Sequence, residues 1–166
     1  MSKRAWSVLV SLIFLMMPVI SVAQTADSDT SIASCTFADE KSITVHYQPA
    51  PRKKSELPAG RVWLPGGSAL TLFAETDTTL GTTDIPAGGY TMYLVPGRKD
   101  WTLIVSKNTD VSKYNEGQDL ARASMQVGEL DQPAEFSVFF GHIAPKICEI
   151  NVEYGKVRAW TEFKEK

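Results

Sequence analysis

The chain is 166 residues long, carries 17 Lys and Arg against 19 Asp and Glu, and has a formal net charge of −2. That is one domain's length. With no block of basic residues longer than Arg52-Lys53-Lys54, it lacks the electrostatic footprint of a nucleic-acid binder.

The opening stretch, MSKRAWSVLVSLIFLMMPVISVAQ, has the three parts of a secretory signal in order. Lys3 and Arg4 give a positive start, Ala5 to Ile20 an uncharged apolar run, and Ser21-Val22-Ala23 a small-x-small cleavage site. A spanning helix takes about 20 apolar residues, and Pro18 interrupts this run. Residues 1–23 therefore read as a cleaved signal peptide, with the mature chain starting at Gln24. Cleavage removes two bases and no acid, leaving 15 against 19. Residues 24–34, rich in Thr, Ser, Asp and Ala, bury too little apolar surface to order themselves and read as a flexible leader. Residues 35–166 then form the domain, large enough to bury a core without metal.

Short alternating runs, separated by Gly, Pro, Asn and Asp, fill that domain, and no window has helical periodicity. In Ser42 to Gln48, Ile43, Val45 and Tyr47 share one face, while Thr44 and His46 share the other. Leu70 and Leu72 lie on one face of the next run. Tyr90, Met92 and Leu94 alternate with Thr91, Tyr93 and Val95, giving a strand with two apolar faces, as a central strand has. After the turn-rich Pro96-Gly97-Arg98-Lys99-Asp100, Trp101, Leu103 and Val105 form its hairpin partner. Ala121, Ala123, Met125 and Val127 make one later run, and Phe136, Val138 and Phe140 another. Cys148, Ile150, Val152 and Tyr154 make the next. Tyr154-Gly155-Lys156 reads as a turn into Val157, Ala159, Thr161 and Phe163. Eight or nine short strands without helices imply an all-β, antiparallel sandwich.

Cys35 and Cys148 are the two cysteines, and an even count in an exported chain favours a disulfide. Cys148 lies on the apolar face of its strand and Cys35 shares a face with Phe37, so both thiols point into a core. A rival reading takes Ile32-Ala33-Ser34 as the lead into a lipidated Cys35. It would leave Cys148 an odd thiol and place the site too far from the apolar run.

Little here carries chemistry. His46 is on the polar face of its strand and His142 follows Gly141 in a predicted loop. No metal-binding spacing occurs, so neither a metal nor a cofactor is called for. Gly66-Gly67-Ser68 lacks the second glycine and the helix of a serine elbow. The scattered carboxylates Glu75, Asp77, Asp84, Glu129, Asp131 and Glu135 leave a hydrolase using His46 permitted but unsupported. Arg61 and Trp63, two apart, leave one face of an extended segment and can present a cation beside an aromatic plane. Trp160 alternates away from Val157, Ala159 and Thr161 and is the best candidate for a tryptophan outside the core, although most sandwich tryptophans are core.

From Leu57 onward, LPAGRVW, IPAGGYTMYLVPGRKDWTLIVSKN, DLARASMQVGELDQPAEFSVFF and VEYGKVRAW resemble a bacterial exported family catalogued as domain of unknown function 2911. SCTFADEKSITVHY resembles the start of its secreted members. The resemblance implies a compact β-rich fold and brings no substrate, cofactor or catalytic residue. Members usually follow the tryptophan matching Trp63 with a polar string. Here Leu64, Ser68 and Ala69 stand at its arginine, asparagine and glutamate positions, and the segment between Pro51 and Leu57 is shortened to RKKSE.

The sequence thus reads as an exported, periplasmic or secreted module of the cell envelope, binding or structural rather than catalytic. Its expected partner is a small molecule, a glycan or an envelope protein, and its ligand site is placed at Arg61, Trp63, Gly66, Gly67, Ser68 and His46. A hydrolase-like enzyme and an adaptor presenting an exposed sheet edge are the alternatives.

Overall fold

A computed structural model describes residues 30–51, 57–110 and 112–166. The predicted signal peptide and its cleavage site lie outside the described residues. The described residues are all-β, with nine strands. They are β1 (Ser31–Thr36), β2 (Ser42–Tyr47), β3 (Leu70–Ala74), β4 (Thr78–Leu80), β5 (Thr83–Ile85), β6 (Gly88–Val95), β7 (Trp101–Ser106), β8 (Asp119–Ala144) and β9 (Ile147–Glu165). They form one antiparallel sheet in the order β1-β2-β3-β6-β7-β8-β9-β4-β5.

The sheet closes back on itself. Six strand spacings separate β1 from β9, roughly 29 Å on a flat sheet at about 4.8 Å each. Yet Cys35 in β1 and Cys148 in β9 are disulfide-bonded, with Cα atoms 6.1 Å apart. Between the two layers lies the main core, built from the faces that alternation assigns inward: Ile43 and Val45, Leu70 and Leu72, Met92 and Leu94, Trp101, Leu103 and Val105, Ile150 and Val152. A Cys35 sulfur bonded to Cys148 cannot also carry a lipid thioether, so the lipidated reading is overturned.

The second apolar face of β6 is also real. Tyr93 packs with Ile104 and Ala69 on the far side of the sheet, covered by Val62, Leu64, Val95 and Tyr114.

Four expectations are corrected. β1 begins at Ser31, inside the expected leader, because its backbone pairs with β2 from Ser31↔Tyr47 to Thr36↔Ser42 and the disulfide pins it. Composition alone cannot register such pairing. His142 lies in β8 opposite Cys148, not in a loop. The β4–β5 hairpin around Gly81-Thr82, missed in the sequence, is only three residues a side. Its turn is possible because Gly81 takes φ 59 at the first turn position.

The fourth concerns strand length. β8 has 26 residues and β9 has 19, so the predicted turn at Tyr154-Gly155-Lys156 is no turn. Glu129 pairs with Val157 and Ala134 with Gly155, so four β8 residues stand opposite Lys156 alone. This bulge, with Gly155 at φ 60, shifts the alternation by one. Even-numbered residues face inward before it in β9 and odd-numbered ones after it, so both halves bury their apolar side chains.

The bulge also bends the strand. Arg158 Nε donates to Asn151 Oδ1 at 2.8 Å. Seven residues of straight strand would span about 23 Å, more than the two side chains can bridge.

Candidate functional site

Beyond the pair Gln126↔Trp160 the ladder between β8 and β9 ends. β8 pairs instead with β7 from Met125 back to Asp119, and β9 with β4 from Phe163 onward. The outward side chains of the two parting strands line an open cleft of about 230 Å³. Ser124 and Gln126 come from β8, Trp160, Glu162 and Lys164 from β9, and Gly81 from the β4–β5 turn. Lys164 pairs with Glu162 at 3.3 Å. Ser124 Oγ donates to Asp100 Oδ2 at 3.3 Å. The walls are therefore one aromatic plane and a balanced set of donors and acceptors with no net charge.

Trp160 is only partly buried. Its six-membered ring lies over Gly128, where an added Cβ would stand 3.2 Å from Cζ3. The Arg158 guanidinium lies 5.6 Å from the Trp160 ring centroid and 5.6 Å from that of Phe139. Both distances are within the reach of a cation–π contact, about 6 Å, yet Phe139 remains 37% exposed and Trp160 partly so, so neither ring is fully covered. Arg158 is held in place from below. Asn151, 1% exposed, accepts from Nε and donates to Glu149 Oε1 at 3.1 Å, while Arg158 Nη2 reaches Glu149 at 3.5 Å. Alternation in the sequence set Trp160 apart; Arg158, Phe139, Gln126 and Gly128 went unnoticed, because only the bend and the fork bring them to one face.

The residues expected to bind ligand are elsewhere. Trp63 pairs with Leu94 and packs into an aromatic cluster, 5.8 Å from Trp101, 5.5 Å from Phe136 and 4.9 Å from Tyr154. Arg61 is exposed. Gly66 and Gly67 have φ of 68 and 89. Gly66 approaches not an open surface but Gln48 and Ala50 of the same chain, at 3.5 and 3.7 Å from an added Cβ. Ser68 follows, its N–H on the Pro65 carbonyl at 3.4 Å. His46 is on the outer face of β2, its ring 5.0 Å from Phe73. The structure thus brings Arg61, Trp63 and Gly66 to Ser68 along one segment and leaves His46 on a different strand.

Four of the six carboxylates considered as partners for His46 are engaged elsewhere. Glu75 accepts from the backbone and hydroxyl of Ser42, both at 2.7 Å, which holds its carboxyl below the ordinary range. Asp77 caps Ala87 N, Asp84 pairs with Lys166, and Glu129 with Lys156. Among the described residues, no group of three or more His, Cys, Asp or Glu is placed to hold a metal ion.

A second polar constellation flanks the smaller apolar cluster. Tyr114 donates to Asp119 Oδ2 at 2.7 Å and receives Arg122 Nη2 at 2.5 Å. Burial, then the bond to Asp119, pushes the Tyr114 hydroxyl up to about 12. Asn108 donates to the Tyr93 hydroxyl at 2.8 Å. Oδ1 of Asp119 is buried without a hydrogen-bond partner among the described residues. Leu64 and Ala69 lie in that apolar cluster.

Comparison with known proteins gives one positive result. The family described as "Protein of unknown function (DUF2911)" matches residues 28–163. The chain belongs to that family. Neither the curated proteins nor the solved structures contain a match.

Proposed function

We propose that this member of the family is an exported, non-catalytic module that binds a saccharide ring in the fork between β8 and β9, against Trp160. The observation that carries the reading is the cleft itself. A tryptophan resting over Gly128 lines the opening together with Gln126, Ser124, Glu162 and Lys164, a lining without net charge. A pyranose has an apolar C–H face and a rim of hydroxyls, so it matches an aromatic plane edged with both donors and acceptors. At about 230 Å³ the cleft is smaller than the roughly 300–1,000 Å³ of sites for drug-sized ligands, which suits one ring.

Export is supported by the Cys35–Cys148 disulfide, a bond that persists in oxidising compartments, and by the signal-like composition of residues 1–23. Among the described residues no helix is long and apolar enough to cross a membrane.

The test is titration of the mature protein with a panel of mono- and disaccharides, followed by backbone chemical shifts. Shifts centred on Gln126 and on 160–164 and lost in Trp160→Ala support the reading. A sugar that shifts only the Arg61–Ser68 segment, or a panel without any binder, rejects it.

A further inference from the structure

We infer, building on that saccharide reading, that the ligand is a neutral glycan chain, and that it runs out of the fork over Arg158 onto a second aromatic platform at Phe139. Four observations carry this beyond the cleft.

Phe139 is a phenyl ring on the outer face of β8, 37% exposed, where it contributes nothing to either apolar cluster. It is linked to the cleft through Arg158, whose guanidinium is 5.6 Å from both ring centroids. The two platforms are therefore no further apart than twice that distance. Arg158 is also built into place. A side chain on the surface is bonded by a buried asparagine, and burying an amide is costly unless all its groups are satisfied. Asn151 satisfies them on Arg158 and Glu149.

The charge of that arrangement then decides the ligand. Glu149 accompanies Arg158, as Glu162 accompanies Lys164. A site for an acidic sugar or a phosphate would leave a guanidinium without a carboxylate. Here both cations along the path are matched, and what Arg158 offers a ligand is hydrogen-bond donors between two apolar planes. That alternation of plane, donors and plane suits consecutive pyranose rings presenting C–H faces and hydroxyl edges in turn.

Lastly, the path is kept low by glycine. Gly128 lies beneath Trp160, and Gly141 lies two residues beyond Phe139 on the same outer face. The bend at the Gly155 bulge turns these segments toward each other.

The experiment compares binding of neutral gluco-, xylo- and N-acetylglucosamine oligosaccharides, from single sugar to hexasaccharide, to the intact mature protein and to three variants. In the unaltered protein at least one series should tighten about tenfold with length, the size of one aromatic platform. Phe139→Ala should return the long members to the affinity of the single sugar while leaving the single sugar unchanged. Phe139→Tyr should keep the gain, and Trp160→Ala should weaken every length. Thermal unfolding of each variant shows that it remains folded; Phe139 is exposed enough that its loss is tolerated. Sugars that bind at Trp160 with one affinity at all lengths, or a length gain untouched by Phe139→Ala, overturn the chain and leave the cleft standing. Absence of any binder overturns both.

Discussion

The same three-residue pattern, arginine, small aliphatic residue, tryptophan, occurs twice among the described residues and is used in opposite ways. In Arg61-Val62-Trp63 the indole turns inward, edge-on to Trp101 and Phe136, while the arginine is left exposed. In Arg158-Ala159-Trp160 both long side chains stay outside, the alanine is fully buried, and the guanidinium lies beside the indole. The difference comes from what stands opposite. Trp63 bridges to Leu94 on a strand apolar on both faces. Trp160 faces Gln126 and rests over Gly128, where no side chain competes for the surface. A pattern of side chains offers a platform; its cross-strand neighbours decide whether the platform is core or site.

This contrast is most sharply tested by truncating each tryptophan. Trp63→Ala opens a hole in a four-ring cluster and should cost about 3–5 kcal/mol of unfolding free energy in urea or guanidinium. Trp160→Ala should cost about 1 kcal/mol, near the range of surface changes. Equal costs, or a larger loss at Trp160, would break the distinction between a core and a site tryptophan.

The outer face also depends on β9 being held against the rest of the sheet. Replacing both Cys35 and Cys148 by alanine should lower stability by about 2–4 kcal/mol, the usual range for a native bridge. The 113-residue separation of the cysteines puts the chain-entropy expectation above that range. The domain should still fold, because the main core does not depend on the sulfur atoms. Denaturant midpoints of the oxidised, reduced and doubly substituted proteins provide the measurement; an unchanged midpoint contradicts the expectation.

A smaller effect is expected beneath the exposed indole. Gly128→Ala places a methyl group 3.2 Å from Cζ3 of Trp160, so the ring must lift by a few tenths of an ångström. Stability should change by about 0.5 kcal/mol or less, while Trp160 should move in aromatic side-chain NMR spectra and ligand binding should weaken. Trp63 resonances should stay in place; movement of both tryptophans would blur the contrast.

The smallest effect concerns the loop that carries Trp63 and its cover over Tyr114. The Tyr114 hydroxyl is raised from 10.0 to about 12, burial being the first cause. Its protonated form is favoured by folding, so its contribution to stability is complete below pH 10 and is lost as pH rises through about 12. Leu64 packs on the same cluster, so Leu64→Ala should admit water and bring the phenol's midpoint down toward 10. Ultraviolet titration of phenolate absorbance follows it. An unchanged midpoint would show that the bond from Tyr114 to Asp119, rather than the cover of the Trp63 loop, holds the value up.

Much of the fold was legible in the sequence because β alternation is a local property with a period of two. The inward sets Ile43 and Val45, Met92 and Leu94, Leu103 and Val105, and Ile150 and Val152 each declare a buried face within a few residues. Cys35 and Cys148 declare theirs by the same rule, which made the bridge predictable across 113 residues. The opposite parity of Tyr154 and Val157 was legible as well. Its cause was not: a turn and a bulge both reverse the alternation at a glycine, and only the pairing of Glu129 with Val157 and Ala134 with Gly155 separates them.

The sequence by itself determined an all-β, disulfide-closed domain, the residues of its core, and the tryptophan that alternates away from it. Tertiary structure alone decided which residues line the proposed ligand site. Gln126, Phe139, Arg158 and Trp160 share no local pattern, being spread over 35 residues of two strands. They meet because β8 exchanges β9 for β7 beyond Gln126 and because β9 bends at Gly155. Arg61 and Trp63, two residues apart in a readable motif, end in different surroundings, because the core claims the larger ring and leaves the arginine exposed. Burial of an aromatic surface is worth more than its display, and which ring is buried depends on strand pairs that no short stretch of sequence contains.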